Sequence, residues 1–325
     1  MNKKLAGIAL AIASYSAVAV ENGTLHSWTE NADLATFNCT GTLLGGKHLI
    51  TAGHCELQKG NIAFSDGSWS NAVVNNHPGG VGDPNGPDVA VWNLEQIHLS
   101  EDIHFIANLG SEPVNNGDYI DIYGFAGSQI LNVAKTQIDI LGTSNTNWYS
   151  TKDIGAGITE AGDSGGPWVN QDGDIVAIHN SGADGTMLAT SLYVVKDWLL
   201  EQINGWHYPT LKTGNGDISI KVQSLHQGGV ADSAYTTGDI TLIGGSCVGH
   251  TLSAFETCTY DVSAPNNASG TLHLSATEAI NINPAKTHSV DTQNASGGNG
   301  GGGGSLGGLA LLMLGALGYR RRRTC

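Results

Sequence analysis

The stretch Gly162-Asp163-Ser164-Gly165-Gly166-Pro167 places a serine between an aspartate and two glycines, in a turn between apolar segments. Such a turn presents the hydroxyl to solvent with backbone N–H groups beside it, which suits a nucleophile and can stabilise an oxyanion. The same residues also build ordinary tight turns, because glycine and aspartate favour them. The stretch therefore indicates catalysis only if a base and an acid accompany it.

Two upstream stretches supply these partners. His54 lies in Leu49-Ile50-Thr51-Ala52-Gly53-His54-Cys55, and Asp88 opens the apolar run Asp88-Val89-Ala90-Val91-Trp92. The chain order is therefore histidine, aspartate, serine, which is the chymotrypsin order of this triad. With strand-like segments around all three motifs, residues 20 to 204 resemble the chymotrypsin-like serine proteases.

Asp88 is the predicted partner of His54, because a carboxylate at the edge of an apolar strand can be buried and accept a hydrogen bond from imidazole. Asp83 is the rival candidate, but no comparable apolar run follows it. Asp66, Asp83 and Asn85 also raise the question of a calcium loop. Their carboxylates do not alternate with the spacing that such a loop needs, so no metal is predicted.

The resemblance implies covalent acyl transfer on a peptide substrate. Ser164 attacks the carbonyl, His54 takes its proton and returns it to the leaving amine, and Asp88 orients His54. The N–H groups of Gly162 and Ser164 form the oxyanion hole, a contribution of roughly 3 to 4 kcal/mol per donor. No cofactor is implied.

The strand pattern predicts an all-β fold. The chain has 46 glycines, and short β segments such as 119–125 and 130–141 alternate with glycine and asparagine turns. Strands at this spacing are typical of paired antiparallel barrels. We expect two six-stranded antiparallel β-barrels of the chymotrypsin type over residues 20–205, closed by a C-terminal helix over 192–205 with helical apolar spacing.

The resemblance also identifies candidate specificity residues. The residue six positions before the nucleophile lies at the bottom of the family's primary pocket, and here it is Ile158, which does not select arginine or lysine as an aspartate would. Thr159 and His179 match the positions that glutamyl endopeptidases use to bind an acidic side chain, and a histidine charge varies near neutral pH. The alternative is that His179 only caps a loop, and an acidic surface would repel acidic substrates.

Residues 1–19 are typical of a secretory signal peptide. Lys3 and Lys4 precede an apolar run over 5–13, and Ala17-Val18-Ala19 forms a small-x-small cleavage site. The apolar run is too short for a transmembrane anchor.

Cleavage after residue 19 would start the mature chain at Val20, which resembles the mature N-terminus of the family. In those enzymes the new amine pairs with the aspartate before the nucleophile, here Asp163, and this ion pair orders the oxyanion hole. We therefore expect signal peptidase to make the active N-terminus. An unrecognised zymogen site is the alternative.

Five cysteines suggest an oxidising compartment. The family ties two strands beside the catalytic histidine with a disulfide, and Cys39 with Cys55 matches that bridge. Cys247 and Cys258 can pair within a second domain, and they lack the further cysteine partners that a zinc site needs.

Residues 210–294 predict this second domain. Their alternating stretches are typical of a small β-sandwich, and the segment around the cysteine pair resembles bacterial immunoglobulin-like modules. Its role stays open between adhesion, substrate presentation and spacing. The alternating stretches are 217–222, 239–243 and 270–275.

Residues 295–325 predict a sorting tail. A glycine linker over 297–304 precedes a short apolar run over 306–319 and four arginines, 320–323. This pattern resembles the GlyGly C-terminal signal of Gram-negative secreted proteins, which a rhomboid-type protease cuts. The run 306–319 would then anchor the chain in the membrane transiently, and a permanent anchor is the alternative.

The charge distribution bears on partners. The formal net charge is −15, and setting aside the basic residues at the two ends leaves eight bases against 29 acids. Nucleic acid is therefore not a predicted partner, because phosphate binding needs clustered lysine and arginine. We expect a serine endopeptidase for protein or peptide substrates, exported through the periplasm of a Gram-negative bacterium and secreted or held at the cell surface. The alternative is a catalytically idle family member that serves as a binding or adhesion protein.

Overall fold

The computed structural model describes residues 20–55, 62–77, 86–141, 147–183 and 185–284. The first strands are β1 (Thr24–Leu25), β2 (Leu34–Thr36), β3 (Thr40–Leu44), β4 (His48–Thr51), β5 (Ile62–Ala63), β6 (Trp69–Ser70), β7 (Ala72–Asn76) and β8 (Ala90–Leu94). The next strands are β9 (Tyr119–Gly124), β10 (Asn132–Ile140), β11 (Trp148–Ala156), β12 (Pro167–Val169), β13 (Ile175–Ala183) and β14 (Thr186–Ser191).

After β14 come helix α1 (Leu192–Ile203) and a final group of strands. These strands are β15 (Gly205–His207), β16 (Leu211–Lys212), β17 (Gly216–Leu225), β18 (Val230–Ala231), β19 (Tyr235–Gly238), β20 (Thr241–Gly244), β21 (Thr251–Leu252), β22 (Thr257–Ala264), β23 (Gly270–His273) and β24 (Ala279–Ile282). Short 3₁₀ turns occur at Thr29–Asn31 and Pro265–Asn267.

The first barrel is an antiparallel sheet in the order β6-β5-β2-β3-β4-β8-β7, and it is nearly closed. Its central hairpin turns at Gly45 and Gly46, whose φ values of +58° and +69° favour glycine. Leu43 and Leu49 pair across this hairpin and are fully buried. They belong to an apolar core with Trp92 of β8.

The second barrel is closed by six strands. The sheet order is β1-β10-β11-β14-β13-β12-β9, and β9 also pairs with β10, which completes the ring. Trp168, Tyr149 and Phe125 are fully buried in its core. The predicted fold class is confirmed: an all-β chain with two antiparallel barrels.

Helix α1 follows the second barrel and buries the apolar face that its sequence predicts, with Leu192, Val195 and Leu199 among the buried residues. The helix ends before the expected position at 205. Asn204 adopts a left-handed conformation with φ of +39° and caps the Leu200 carbonyl, which stops the helix.

The last strands form a small sandwich of two sheets, in the orders β15-β17-β22-β20 and β16-β24-β23-β19. In β17, buried Ile218, Ile220 and Val222 alternate with exposed neighbours, the period expected of a strand with one covered face. These residues share one core with strands of the opposite sheet. The sandwich begins with β15 at Gly205, earlier than the predicted start at 210, because β15 pairs with the distant strand β17.

Buried polar contacts join the sandwich to the segment between β8 and β9. Gln223 of β17 accepts from the N–H of Ile106 at 3.1 Å and donates to the Ile106 carbonyl at 2.5 Å. In His207 of β15, Nδ1 accepts from the N–H of Gly45 at 3.1 Å and Nε2 donates to the His104 carbonyl at 2.8 Å. Each of these groups would be left unpaired without the sandwich, which is costly in a buried interface.

Several sequence predictions fall outside the described residues. They are the signal peptide 1–19, the rival Asp83, the linker 297–304 and the apolar run 306–319. In the ranges that the structure covers, no helix has the length and apolar character to cross a membrane.

Candidate active site

Glycines force the turn that carries Ser164. Gly162 and Gly165 have φ values of +101° and +85°, a conformation that side chains disfavour. A Cβ atom at Gly162 would lie 2.4 Å from the N atom of Gly127, and one at Gly165 would lie 2.0 Å from Oγ1 of Thr51. Both positions therefore need glycine for Ser164 to stand at this turn.

The backbone around Ser164 leaves two donors free. The Ser164 carbonyl accepts from the N–H of Thr40 at 2.8 Å, and the N–H of Gly165 donates to the His179 carbonyl at 2.8 Å. Across the described residues, no acceptor takes the N–H of Gly162 or the N–H of Ser164. Two free N–H groups beside a serine are what a developing oxyanion requires.

The Asp88 carboxylate contacts His54 at two points. Oδ1 accepts from the backbone N–H of His54 at 2.8 Å, and Oδ2 lies 2.6 Å from Nδ1 of the ring. The hydrogen bond from Asp88 raises the pKa of His54, although partial burial opposes this shift. A ring held at Nδ1 leaves Nε2 for proton transfer, so His54 is arranged to act as a base.

The disulfide between Cys39 and Cys55 ties the loop that carries His54. The two Cα atoms are 6.2 Å apart. Cys39 precedes strand β3 and Cys55 directly follows His54, so the bridge links this loop to the first barrel. Closing a loop of this length stabilises the fold by about 3 kcal/mol.

The Ser164 hydroxyl donates to the carbonyl of Asn180 at 3.2 Å. Sequence reasoning did not select Asn180, whose sole signal is that it follows His179 on strand β13. The structure therefore adds one residue to the surroundings of the candidate nucleophile.

Asp163 is fully buried beneath this turn. Oδ1 accepts from the N–H of Ala126 at 2.8 Å and Oδ2 from the N–H of Glu160 at 2.7 Å, and the backbone of Val20 donates a further hydrogen bond. Burial raises the pKa of Asp163, and the three backbone bonds oppose that shift. Val20 is itself fully buried, so the structure brings together the two residues that the resemblance pairs.

The candidate specificity residues differ in their surroundings. Ile158 is half-buried, and its N–H donates to the Glu21 carbonyl at 2.9 Å. Thr159 is buried, and its Oγ1 has no hydrogen-bond partner among the described residues. A Cβ atom at Gly182 would lie 2.7 Å from this oxygen. An unpaired buried hydroxyl is costly unless a ligand engages it.

His179 is buried and neutral. Its Nδ1 accepts from Nε1 of Trp168 at 3.3 Å. Burial lowers the pKa of His179 to about 3, and the charge on His54 lowers it further. The expected histidine charge near neutral pH is therefore absent. Because Nδ1 is an acceptor, Nε2 carries the hydrogen and is a neutral donor.

Solved structures with similar folds include three secreted or granule-type proteins by their names. The VesB protease of Vibrio cholerae matches with a TM-score of 0.47 and 17% identity, over 81% of this chain and 98% of that chain. The secreted serine protease VesC of Vibrio cholerae matches with 0.47 and 16%, over 80% and 70%. A mutant of human heparin binding protein matches with 0.48 and 14%, over 54% and 93%.

Sequence comparisons give the family. No curated protein matches the chain. The family model described as Trypsin matches residues 18–199, which is more than half of the sequence. The chain therefore belongs to the trypsin family of chymotrypsin-like serine proteases.

Proposed function

We propose that the protein is an exported serine endopeptidase that cleaves peptide bonds through an acyl-enzyme. The observation that carries this proposal is the pair of contacts between Asp88 and His54, beside a serine whose turn leaves two N–H groups free. A trypsin-family chain with these groups has a base, a nucleophile and an oxyanion site.

Acylation would follow from these groups. Ser164 Oγ bonds to the substrate carbonyl carbon while its proton moves to Nε2 of His54. The carbonyl oxygen becomes an oxyanion that the N–H groups of Gly162 and Ser164 stabilise. The C–N bond then breaks as His54 returns the proton to the leaving amine. Water reverses these steps to free the acid and Ser164.

Activation would use the contact between Val20 and Asp163. In the full chain the Val20 backbone is a neutral donor to a buried carboxylate. Cleavage after Ala19 would convert that N–H into an ammonium group, and the opposite charge would offset the burial of Asp163. Signal peptidase would perform the cleavage.

This activation step has its own test. A chain that begins at Val20 is compared with a chain that carries one additional alanine before Val20. The first should be active and the second at least tenfold less active, because an amide cannot supply the charge. Equal activity would contradict the role of a free amine at Val20.

The substrate preference would be for an acidic residue before the cut. Thr159 offers an unpaired hydroxyl and His179 offers a neutral Nε2–H donor, and Ile158 offers no charge. Two neutral donors can bind a carboxylate by hydrogen bonds, without an ion pair.

Export is supported by the two disulfides, Cys39–Cys55 and Cys247–Cys258, which persist in oxidising compartments. We propose the route through the periplasm, with the tail 295–325 processed by a rhomboid-type protease. We also propose that the sandwich is immunoglobulin-like.

The function is tested with purified chain beginning at Val20 and with the Ser164→Ala variant as its control. Both are labelled with a fluorophosphonate and incubated with a mixed peptide library. Labelling and cleavage that vanish in the variant would support the peptidase, and the residue before each cut reports the preference. A folded chain that neither labels nor cuts would overturn the proposal and favour a binding protein.

A further inference from the structure

An irregularity in the second barrel lies next to the candidate nucleophile. Strands β13 and β14 pair with His179 opposite Ala189 and Ser181 opposite Leu188, so the register shifts between these pairs. Asn180 is the additional residue at this β-bulge. A bulge removes a residue from the regular ladder and redirects its side chain, often beside an active site.

The Asn180 side chain binds Thr190 at both of its polar atoms. Oδ1 accepts from the N–H of Thr190 at 3.2 Å, and Nδ2 donates to Thr190 Oγ1 at 3.1 Å. Thr190 Oγ1 lies 3.2 Å from the Asp88 carbonyl and 3.3 Å from Asn180 Oδ1. Because Oδ1 already has a donor, the single hydroxyl hydrogen of Thr190 is assigned to Asp88.

These bonds form a continuous path from Ser164 to Asp88. The Ser164 hydroxyl donates to the Asn180 carbonyl, the Asn180 side chain holds Thr190, and Thr190 holds the Asp88 backbone. Thr190 belongs to the second barrel, whereas Asp88 immediately precedes the β8 region of the first. The path therefore crosses between the barrels at the candidate site.

The Asp88 carboxylate depends on this backbone support. Within the described ranges, both hydrogen bonds to the carboxylate come from His54. No other donor there fixes the orientation of the carboxylate, so its position follows from the loop of His54 and from its own main chain. Thr190 is 1% exposed, so water does not compete freely for its bond.

We propose that Asn180 and Thr190 are positioning residues that hold Asp88 against His54 and seat the Ser164 hydroxyl. This role rests on the proposed peptidase function. Neither side chain is assigned a contact with substrate. Their effect passes through the placement of Asp88 and of Ser164.

The first test compares Thr190→Val with Thr190→Ser. Valine keeps the shape and removes the hydroxyl, whereas serine keeps it. We expect kcat to fall roughly tenfold to a hundredfold in Thr190→Val with KM nearly unchanged, as for a small misplacement of catalytic groups. Thr190→Ser should retain most of the activity.

Thr136→Val is the matched control. Thr136 is a buried threonine of the same barrel whose Oγ1 donates to the Lys152 carbonyl at 2.8 Å. It should lose a similar amount of stability without a change in kcat. If Thr190→Val keeps kcat within twofold of the parent, or if Thr136→Val loses as much, the positioning role is wrong.

The second measurement needs no activity. The pKa of the His54 ring is followed by NMR in the parent and in both valine variants. The charged or titratable groups that act on His54 are Asp88 and the buried His179. A looser Asp88 should lower the pKa of His54 by about half a unit or more in Thr190→Val only. An unchanged value would overturn the proposal.

These readouts separate the two hypotheses. An inactive parent that fluorophosphonate does not label would reject the peptidase function, and the His54 titration would still decide the positioning role. If Thr190→Val does not fold, Asn180→Ala serves instead, since it removes both side-chain bonds to Thr190. It should lower the pKa of His54 in the same way.

Discussion

Asp88 accepts two hydrogen bonds from His54, one from the backbone N–H at 2.8 Å and one at Nδ1 of the ring at 2.6 Å. The first bond fixes the main chain of the histidine and the second fixes its ring. A single carboxylate therefore determines both the place and the tautomer of the candidate base.

Replacing Asp88 by asparagine should remove most of the activity. The amide can donate to Nδ1 and so favours the tautomer with hydrogen on Nε2, which cannot accept the Ser164 proton. We expect kcat to fall roughly 10⁴-fold, measured with a peptide substrate. Asp83→Asn is the control and should leave kcat unchanged. The opposite result would assign the role to Asp83.

Thr159→Val should alter preference and stability in opposite directions. The substitution removes a buried hydroxyl with no partner among the described residues, so the free energy of unfolding should rise by about 1 kcal/mol. The preference for an acidic residue in the peptide library should disappear. Both quantities are measured on the same preparation, by denaturant titration and by sequencing of the cleavage sites.

Thr42→Val is the matched control for this change. Thr42 is buried in β3 and its Oγ1 also lacks a partner among the described residues. It should be stabilised to a similar extent without a change in preference. An acidic preference that survives in Thr159→Val would exclude Thr159 as a ligand for the substrate.

Gln223→Leu should destabilise the protein. The fully buried Gln223 satisfies the N–H and the carbonyl of Ile106 and also donates to the Phe255 carbonyl at 3.1 Å. Leucine leaves these groups unpaired, at a cost of about 2 to 4 kcal/mol in denaturant titration. Gln137→Leu, which loses one bond to the Gly117 carbonyl at a partly exposed site, should cost less than about 1 kcal/mol. Equal losses would contradict the importance of the sandwich contact.

The stability of the protein should fall in acid, partly through His207. Burial lowers the pKa of His207 to about 4, whereas a histidine in the unfolded chain titrates near 6.5. Between these values the unfolded state binds more protons, so the free energy of unfolding falls with pH, by about 1 kcal/mol per unit. His179 acts in the same direction.

His207→Gln should make this dependence shallower between about pH 6.5 and 4, measured by denaturant titration at several pH values. His54 and His104 have raised pKa values, so their contributions change above this window, where stability is lost as the pH rises. His250→Gln, at an exposed position, is the control and should keep the parent slope. A parent-like slope in His207→Gln would show that His207 is protonated equally in both states.

The candidate catalytic residues could be predicted because the signals around them are local. Ser164 needs glycines on both sides for steric reasons, and the apolar run after Asp88 marks the edge of a buried strand. The pattern of α1 also predicted its buried face, because helical periodicity is a property of neighbouring residues.

Other features depend on residues that are distant in sequence. Asn180 becomes a partner of Ser164 only because a bulge shifts the register of two strands. Thr190 reaches Asp88 only where the two barrels meet. No composition or spacing indicates either contact. The neutral state of His179 likewise follows from complete burial, which its local sequence does not reveal.

The sequence alone determined the all-β class, the family and the set of residues from which a site can be built, because these depend on residue type, order and short-range periodicity. The tertiary structure decided which atoms meet: the pair of bonds between His54 and Asp88, the donor of Val20 at Asp163, and the buried contacts of the sandwich with Ile106. These contacts join strands far apart in the chain. Their distances and burial, and hence their energies, exist only once the barrels have closed.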